Sequence, residues 1–206
     1  MGRVRVGQFA LICTFILFIS CEKTYVPKPK GYHRIDLPKH EYQPLLENHP
    51  YKFEYSKSAV VTNHKSAQTE PDWIDILYKE HRAVVQITYK PLYKEKNKKD
   101  KEKLLYELIN DTYKLTSKHE VKASGIEESV VRSPSGKIAT LFELEGDVPS
   151  QFQFYVTDTN NHFFRGALYF RTSTKNDSLS PIIEYIKIDM MHLINTLDWK
   201  KEIKSK

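Results

Sequence analysis

Gln151-Phe-Gln-Phe-Tyr-Val-Thr-Asp-Thr-Asn-Asn-His-Phe-Phe-Arg-Gly-Ala-Leu-Tyr-Phe170 sets two aromatic and β-branched runs on either side of a short polar segment. The segment Asp158-Thr159-Asn160-Asn161 suits a reversal, because Asn tolerates positive φ and Asp bonds its own backbone. The stretch therefore reads as a β-hairpin. Alternation puts Phe152, Phe154 and Val156 on one face of the first strand, and Phe164, Gly166, Leu168 and Phe170 on one face of the second. The other face carries Gln153, Tyr155 and Thr157, then Phe163, Arg165 and Tyr169. A hairpin that is apolar on one side and amphipathic on the other belongs at the centre of a sheet.

Upstream, Tyr51 to Tyr55 alternates as a strand, Ala59 to Thr62 is a second, and Pro71 to Ile76 enters a third with Trp73 as a core side chain. Arg82 to Tyr89 follows, with Ala83, Val85, Ile87 and Tyr89 on one face, and these strands should pair as antiparallel neighbours. Leu104, Leu105, Leu108, Ile109, Thr112 and Leu115 recur at helical spacing, which predicts an amphipathic helix from about Lys101 to Lys118. Val121 to Arg132 reads as a strand broken at Gly125, Ser133 to Gly136 as a turn, and Lys137 to Glu145 as a strand turning Ile138, Phe142 and Leu144 inward. Gly146 to Ser150 then leads into the hairpin.

Downstream, Thr172 to Ser178 is a polar loop, with Asp177-Ser178 as capping chemistry. Ser180 and Pro181 mark a helix start, as N-cap and first helical residue. Ile182, Ile186, Met190, Leu193 and Leu197 form its apolar stripe, widened by Ile183 and Ile194, and Trp199 closes it. The order predicts one α+β domain over residues 51–200: an antiparallel sheet with an internal helix and a C-terminal helix packed on it. That order is similar to the sandwich of the photosystem extrinsic subunits, a likeness of topology that implies no shared function.

Ahead of the domain, Met1 to Gln8 contains Arg3 and Arg5 and no acid, and Phe9 to Ile19 is almost unbrokenly apolar. Such a run is short of the roughly 20 residues a permanent span needs, and it marks residues 1–20 as a secretory signal. Leu17-Phe-Ile-Ser-Cys21 resembles a bacterial lipobox, in which the Cys thiol receives diacylglycerol and becomes the new N-terminus. Cys13 lies within the signal, so only Cys21 remains and no disulfide staples the monomer. Residues 21–50 carry Pro27, Pro29, Pro38, Pro44 and Pro50 and read as a lipidated, extended tether. Its apolar residues from Gly31 onward, Leu45 among them, lie against the domain or a partner. Residues 201–206 are a basic tail.

The formal charge is +6 with a pI near 9.1, but compartment and dispersal argue against nucleic acid as a partner. The run Lys94 to Lys103 interleaves acids and reads as a solvated loop and first helical turn. No phosphate loop, Gly-x-Ser-x-Gly elbow, His-Glu-x-x-His helix or Cys-x-x-Cys pair is present in the sequence. His33, Asp36 and His40 are close in sequence, but prolines flank them, and no metal or cofactor is expected. His162 and Asp158 flank the reversal and raise acid–base chemistry. The simpler account has Asp158 capping the turn and His162 stacked on a Tyr or Phe, since no nucleophile or orienting group accompanies them. Arg165 either needs a carboxylate or carbonyls if buried, or serves as an aromatic-flanked interface anchor if exposed.

Four stretches fall in one order after the lipobox: Tyr25 to Pro38, Gln153 to Asp158 with His162 to Phe170, Asn176 to Pro181, and Thr196-Leu-Asp-Trp199. Together they closely resemble the gliding motility lipoprotein GldD family of Bacteroidota. Asp147-Val148-Pro149 departs from the small residues expected before the hairpin. The resemblance implies an envelope lipoprotein needed for gliding and for type IX secretion, without enzymatic activity, and only Cys21 carries over with a defined role. A non-enzymatic assembly factor is expected, anchored by membrane lipid through Cys21 and contacting other gliding and secretion proteins. Tyr155, Arg165, Tyr169 and His162 are its candidate contact residues. The competing class is an envelope hydrolase or glycan-binding lipoprotein using the His162, Arg165 and Tyr169 face. Glu22-Lys23 is not an acidic run of the kind that directs surface display, so the periplasmic side is expected.

Overall fold

The structure, a computed structural model, describes residues 35–66, 69–118, 123–170 and 176–200, without the side chains of 176–178. The signal segment, Cys21, the tether through residue 34 with His33, and the basic tail lie outside the described residues. In chain order the strands are β1 Tyr42–Pro44, β2 Tyr51–Lys52, β3 Glu54–Ser56, β4 Val60–Asn63, β5 Ile74–Tyr78 and β6 Ala83–Pro91. A 3-10 turn at Leu92–Lys94 leads to helix α1, Lys98–Ser117. Then come β7 Ala123–Arg132, β8 Ile138–Gly146, β9 Phe152–Thr157, β10 His162–Phe170, helix α2 Asn176–Thr196 and β11 Asp198–Trp199.

The hairpin β9–β10 is central as its pattern requires: the seven-stranded sheet runs β4-β5-β6-β10-β9-β8-β7, all neighbours antiparallel. Asp158 fastens the reversal, its Oδ1 accepting the backbone N–H groups of Asn160, Asn161 and His162 at 3.1, 2.8 and 2.8 Å. Thr159, not an Asn, takes the left-handed conformation, at φ 63°. The β7–β8 turn is as its residues predict, with Gly136 at φ 80° and its N–H on the Ser133 carbonyl at 2.8 Å.

One face of the sheet builds the main core. Phe154, Phe164 and Leu168 are fully buried there with Ile74, Ile87 and the α2 residues Ile186, Met190 and Leu193. Two small ribbons, β1–β3 and β2–β11, extend this layer. Tyr51 to Tyr55 is therefore not one strand: it divides at Phe53, whose side chain is buried, and its halves join different ribbons. The compact unit begins at Ile35, ahead of Tyr51 where the domain was expected to start. Leu45 is buried in the core and its N–H bonds the Phe53 carbonyl at 2.9 Å, so part of the proline-rich stretch belongs to the fold. Pro44 sits at the end of β1, where a missing donor is tolerated.

The other face is covered by α1, through Tyr113 set edge-on to Phe142 at 5.2 Å. Here Phe142, Leu144 and Val148 form a second, smaller cluster. Phe142 and Leu144 thus face α1, while Ala139 and Leu141 of the same strand face the main core, and Ile138 is exposed. Alternation held, but both faces are covered, so inward had two directions. α1 begins at Lys98, three residues before its expected start, because Asn97 accepts the Asp100 N–H at 2.9 Å and caps it. Its most buried residues are Thr112 and Thr116, not Leu115, and their hydroxyls donate to the carbonyls one turn back at 3.0 Å. α2 is described from Asn176, so Asp177, Ser178, Ser180 and Pro181 lie within its span, which extends ahead of the start expected at Ser180. Proline near a helix start removes one bond, to the carbonyl four residues back, and a packed helix absorbs that.

Candidate functional site

The sheet register puts Arg165 of β10 directly opposite Tyr155 of β9 and Thr88 of β6, on the face beneath α1. Its guanidinium is half-buried. Nη2 donates to Gln153 Oε1 at 2.8 Å, and Nε is buried without a hydrogen-bond partner among the described residues. No carboxylate pairs with it among those residues. Instead it borders a cleft of about 330 Å3 between the sheet and α1, lined by Trp73, Leu108, Thr112, Leu115 and Phe163. Lys90, ion-paired with Glu70, and Asp111 form the polar rim. The donors of a guanidinium suit a carboxylate or carbonyl brought by a partner.

Tyr155 stacks on Phe163 with ring centroids 5.6 Å apart and lies 6.3 Å from Phe142. Tyr113 of α1 donates to Glu128 at 2.6 Å, and that bond, ahead of burial, pushes its phenol pKa well up. Tyr169 is half-buried farther along the same face, opposite Val84. The outer face of the hairpin is thus a partly covered row, with Tyr155 and Arg165 at the margin of α1, and not an open aromatic platform.

His162 does not belong to that row. It lies on the main-core side, in step with Phe164, and its residue exposure is 7%. Its ring stacks on Trp199 at 4.6 Å, meets Tyr93 edge-on at 6.1 Å, and bonds the Tyr89 hydroxyl at 2.7 Å. Asp158 spends its oxygen on the turn. Asp158 Oδ1 thus serves the turn and the His162 ring serves the core, on the opposite face from Tyr155, Arg165 and Tyr169. Stacking of His162 was anticipated on a Tyr or Phe; the partner is a Trp because β11 pairs with β2 and brings Trp199 over the hairpin.

The polar cluster that the sequence did not disclose surrounds Asp189 of α2, 2% exposed. It accepts from the Tyr78 hydroxyl at 3.0 Å and pairs with His40 Nδ1 at 2.7 Å. Burial, and then the Asp189 carboxylate, push the Tyr42 phenol up to about 12. Tyr42 in turn stacks on His192, 3.5 Å away, which bonds Glu54 at 2.8 Å. These contacts bind the segment from His40 to Tyr42 onto α2. His40 is thereby engaged away from Asp36, and no group of three metal-ligating side chains occurs among the described residues. The available signal was an acid at 189 beside the stripe residue Met190, at the boundary of the apolar face.

Over residues 22–199 the chain matches the family described as gliding motility lipoprotein GldD. No curated protein matches it in sequence. Among solved structures it is similar to cyanobacterial PsbP (CyanoP) from Synechocystis sp. PCC 6803. That similarity has 10% identity and a TM-score of 0.41, covering 84% of this chain and 100% of that one.

Proposed function

Because the chain belongs to the gliding motility lipoprotein GldD family, we propose that it is a lipid-anchored envelope protein acting in gliding and type IX secretion as a non-enzymatic assembly factor. The observation that carries this is the extent of the family match, which starts at residue 22, immediately after Cys21, and runs through Trp199. Cys21 is the anchor: diacylglycerol on its thiol and an acyl chain on its new amino group supply more than the two hydrophobic signals stable attachment needs. The folded unit then works on the periplasmic side through protein contacts, with no catalytic residue of its own.

Arg165, with Tyr155 and Tyr169, is the contact row. Its half-buried cation beside an apolar cleft is the arrangement of an interface anchor, in which a desolvated guanidinium meets a partner's acceptor. Arg165→Glu at unchanged folding stability abolishes co-purification with other gliding lipoproteins. Retained co-purification removes Arg165 from the interface. Cys21→Ala releases the protein from membranes and stops gliding and type IX secretion, measured by fractionation and by adhesin delivery. A variant that still sediments with membranes and supports secretion overturns the anchored reading.

A further inference from the structure

Strand β7 ends the seven-stranded sheet and is ten residues long, whereas β4 at the opposite edge has four. No strand pairs with its outer edge among the described residues. A long edge presents a row of backbone donors and acceptors that a further strand can take up. Its two faces differ in chemistry. On the α1 side, Ile126 and Val130 are 38% and 65% exposed, and neighbouring Ile138 is 46% exposed. On the α2 side, β7 borders a cleft of about 470 Å3 lined by Glu127, Glu143, Glu145, Glu184 and Lys187. Lys187 is ion-paired with Glu143, and Glu127, Glu145 and Glu184 have no ion pair among the described residues. In a chain of net positive charge this edge is a local acidic site.

A second copy of β7 is a poor occupant. Two-fold antiparallel pairing about the middle of the strand sets Glu127 opposite Glu127, or Glu128 opposite Glu128, of the other copy, and like charges directly opposed destabilise a ladder. We propose that β7 is a strand-addition site for an extended segment of a partner protein in which basic and apolar residues alternate. Side chains of an added strand point to opposite faces in turn. Its basic residues reach the glutamate-lined cleft, and its apolar residues cover Ile126 and Val130. Backbone pairing supplies affinity, and the two faces supply selection.

The inference rests on the contact-protein reading only for its choice of a protein as occupant, and its test needs neither lipidation nor motility. The full-length chain in detergent micelles is titrated with a fluorescent heptapeptide alternating lysine and valine, followed by anisotropy. A control heptapeptide has the same composition with its lysines and valines in separate blocks. Saturable binding of the alternating peptide, with slowed amide exchange along β7, is expected. The exposed double variant Glu127→Lys/Glu145→Lys, its fold checked by circular dichroism, weakens that binding about tenfold, as expected for two exposed ion pairs inverted to repulsions. Equal binding of both peptides, binding indifferent to the variant, or unchanged exchange along β7 overturns the proposal. Peptide binding alongside full motility of Cys21→Ala spares the edge and sinks the anchored reading. The converse pair of results sinks the edge alone.

Discussion

At the scale of single residues, the hairpin depends on two that do no chemistry. Gly166 lies opposite Phe154, and a Cβ added there meets the Phe154 ring well inside contact distance. Gly166→Ala destabilises by about 1–3 kcal/mol, the usual effect of overpacking, measured by denaturant unfolding. Phe154→Leu makes space, so the double variant loses less than the sum of the two single losses. Asp158 offers one oxygen to three N–H groups, and Asp158→Ala costs about 1–3 kcal/mol because bonds to a charged acceptor are lost. Asp158→Asn keeps an acceptor and most of the stability. Loss of function in a fully stable Asp158→Asn would contradict the capping role. His162 takes the stacked place expected of it, on Trp199 and not on a Tyr or Phe. The same alternation that buries Phe164 places His162 with it, away from the face of Tyr155, Arg165 and Tyr169.

At the scale of elements, α2 and β11 are held by charges whose pH dependence has a definite sign. The hydrogen bond from Lys137, at 2.8 Å, is the main cause holding the Asp198 carboxyl below its usual value of 3.8. A depressed folded pKa contributes stability that is present above the unfolded value and lost as pH falls through the folded one. Lys137→Met is therefore less stable than the parent at neutral pH, and the difference closes below about pH 3.8. Asp198 is half exposed, so the difference is small. Tyr42 has the opposite sign. With its phenol raised from 10.0 to about 12, the stabilisation is complete below pH 10 and disappears as pH rises through 12. Tyr42→Phe removes that alkaline dependence, read as stability against pH. In α1 the leucines gave the helix its period, but Thr112 and Thr116 took the deepest positions because their hydroxyls return to the helix backbone.

At the scale of the whole molecule, the apolar run before Cys21 and the family match give an envelope lipoprotein of gliding motility. Cys21→Ala is the variant that tests the proposed attachment, read by membrane fractionation with folding checked by circular dichroism. Two-residue alternation in Gln151 to Phe170 determined the sheet centre, and the period of Ile182 to Leu197 determined the helix on it. Both are local consequences of backbone geometry and need no partner. The sequence could not say which covered face Phe142 and Leu144 would meet, since alternation distinguishes two sides and names neither. Nor could it place Trp199 on His162, His40 on Asp189 or Leu45 in the core, because each contact joins segments far apart in the chain. Arg165 was legible as an exceptional residue, but its place under α1 was set by how a helix more than forty residues earlier lies on the finished sheet. Periodicity determined the elements. Only long-range packing decided which side chains were left at the surface for a partner.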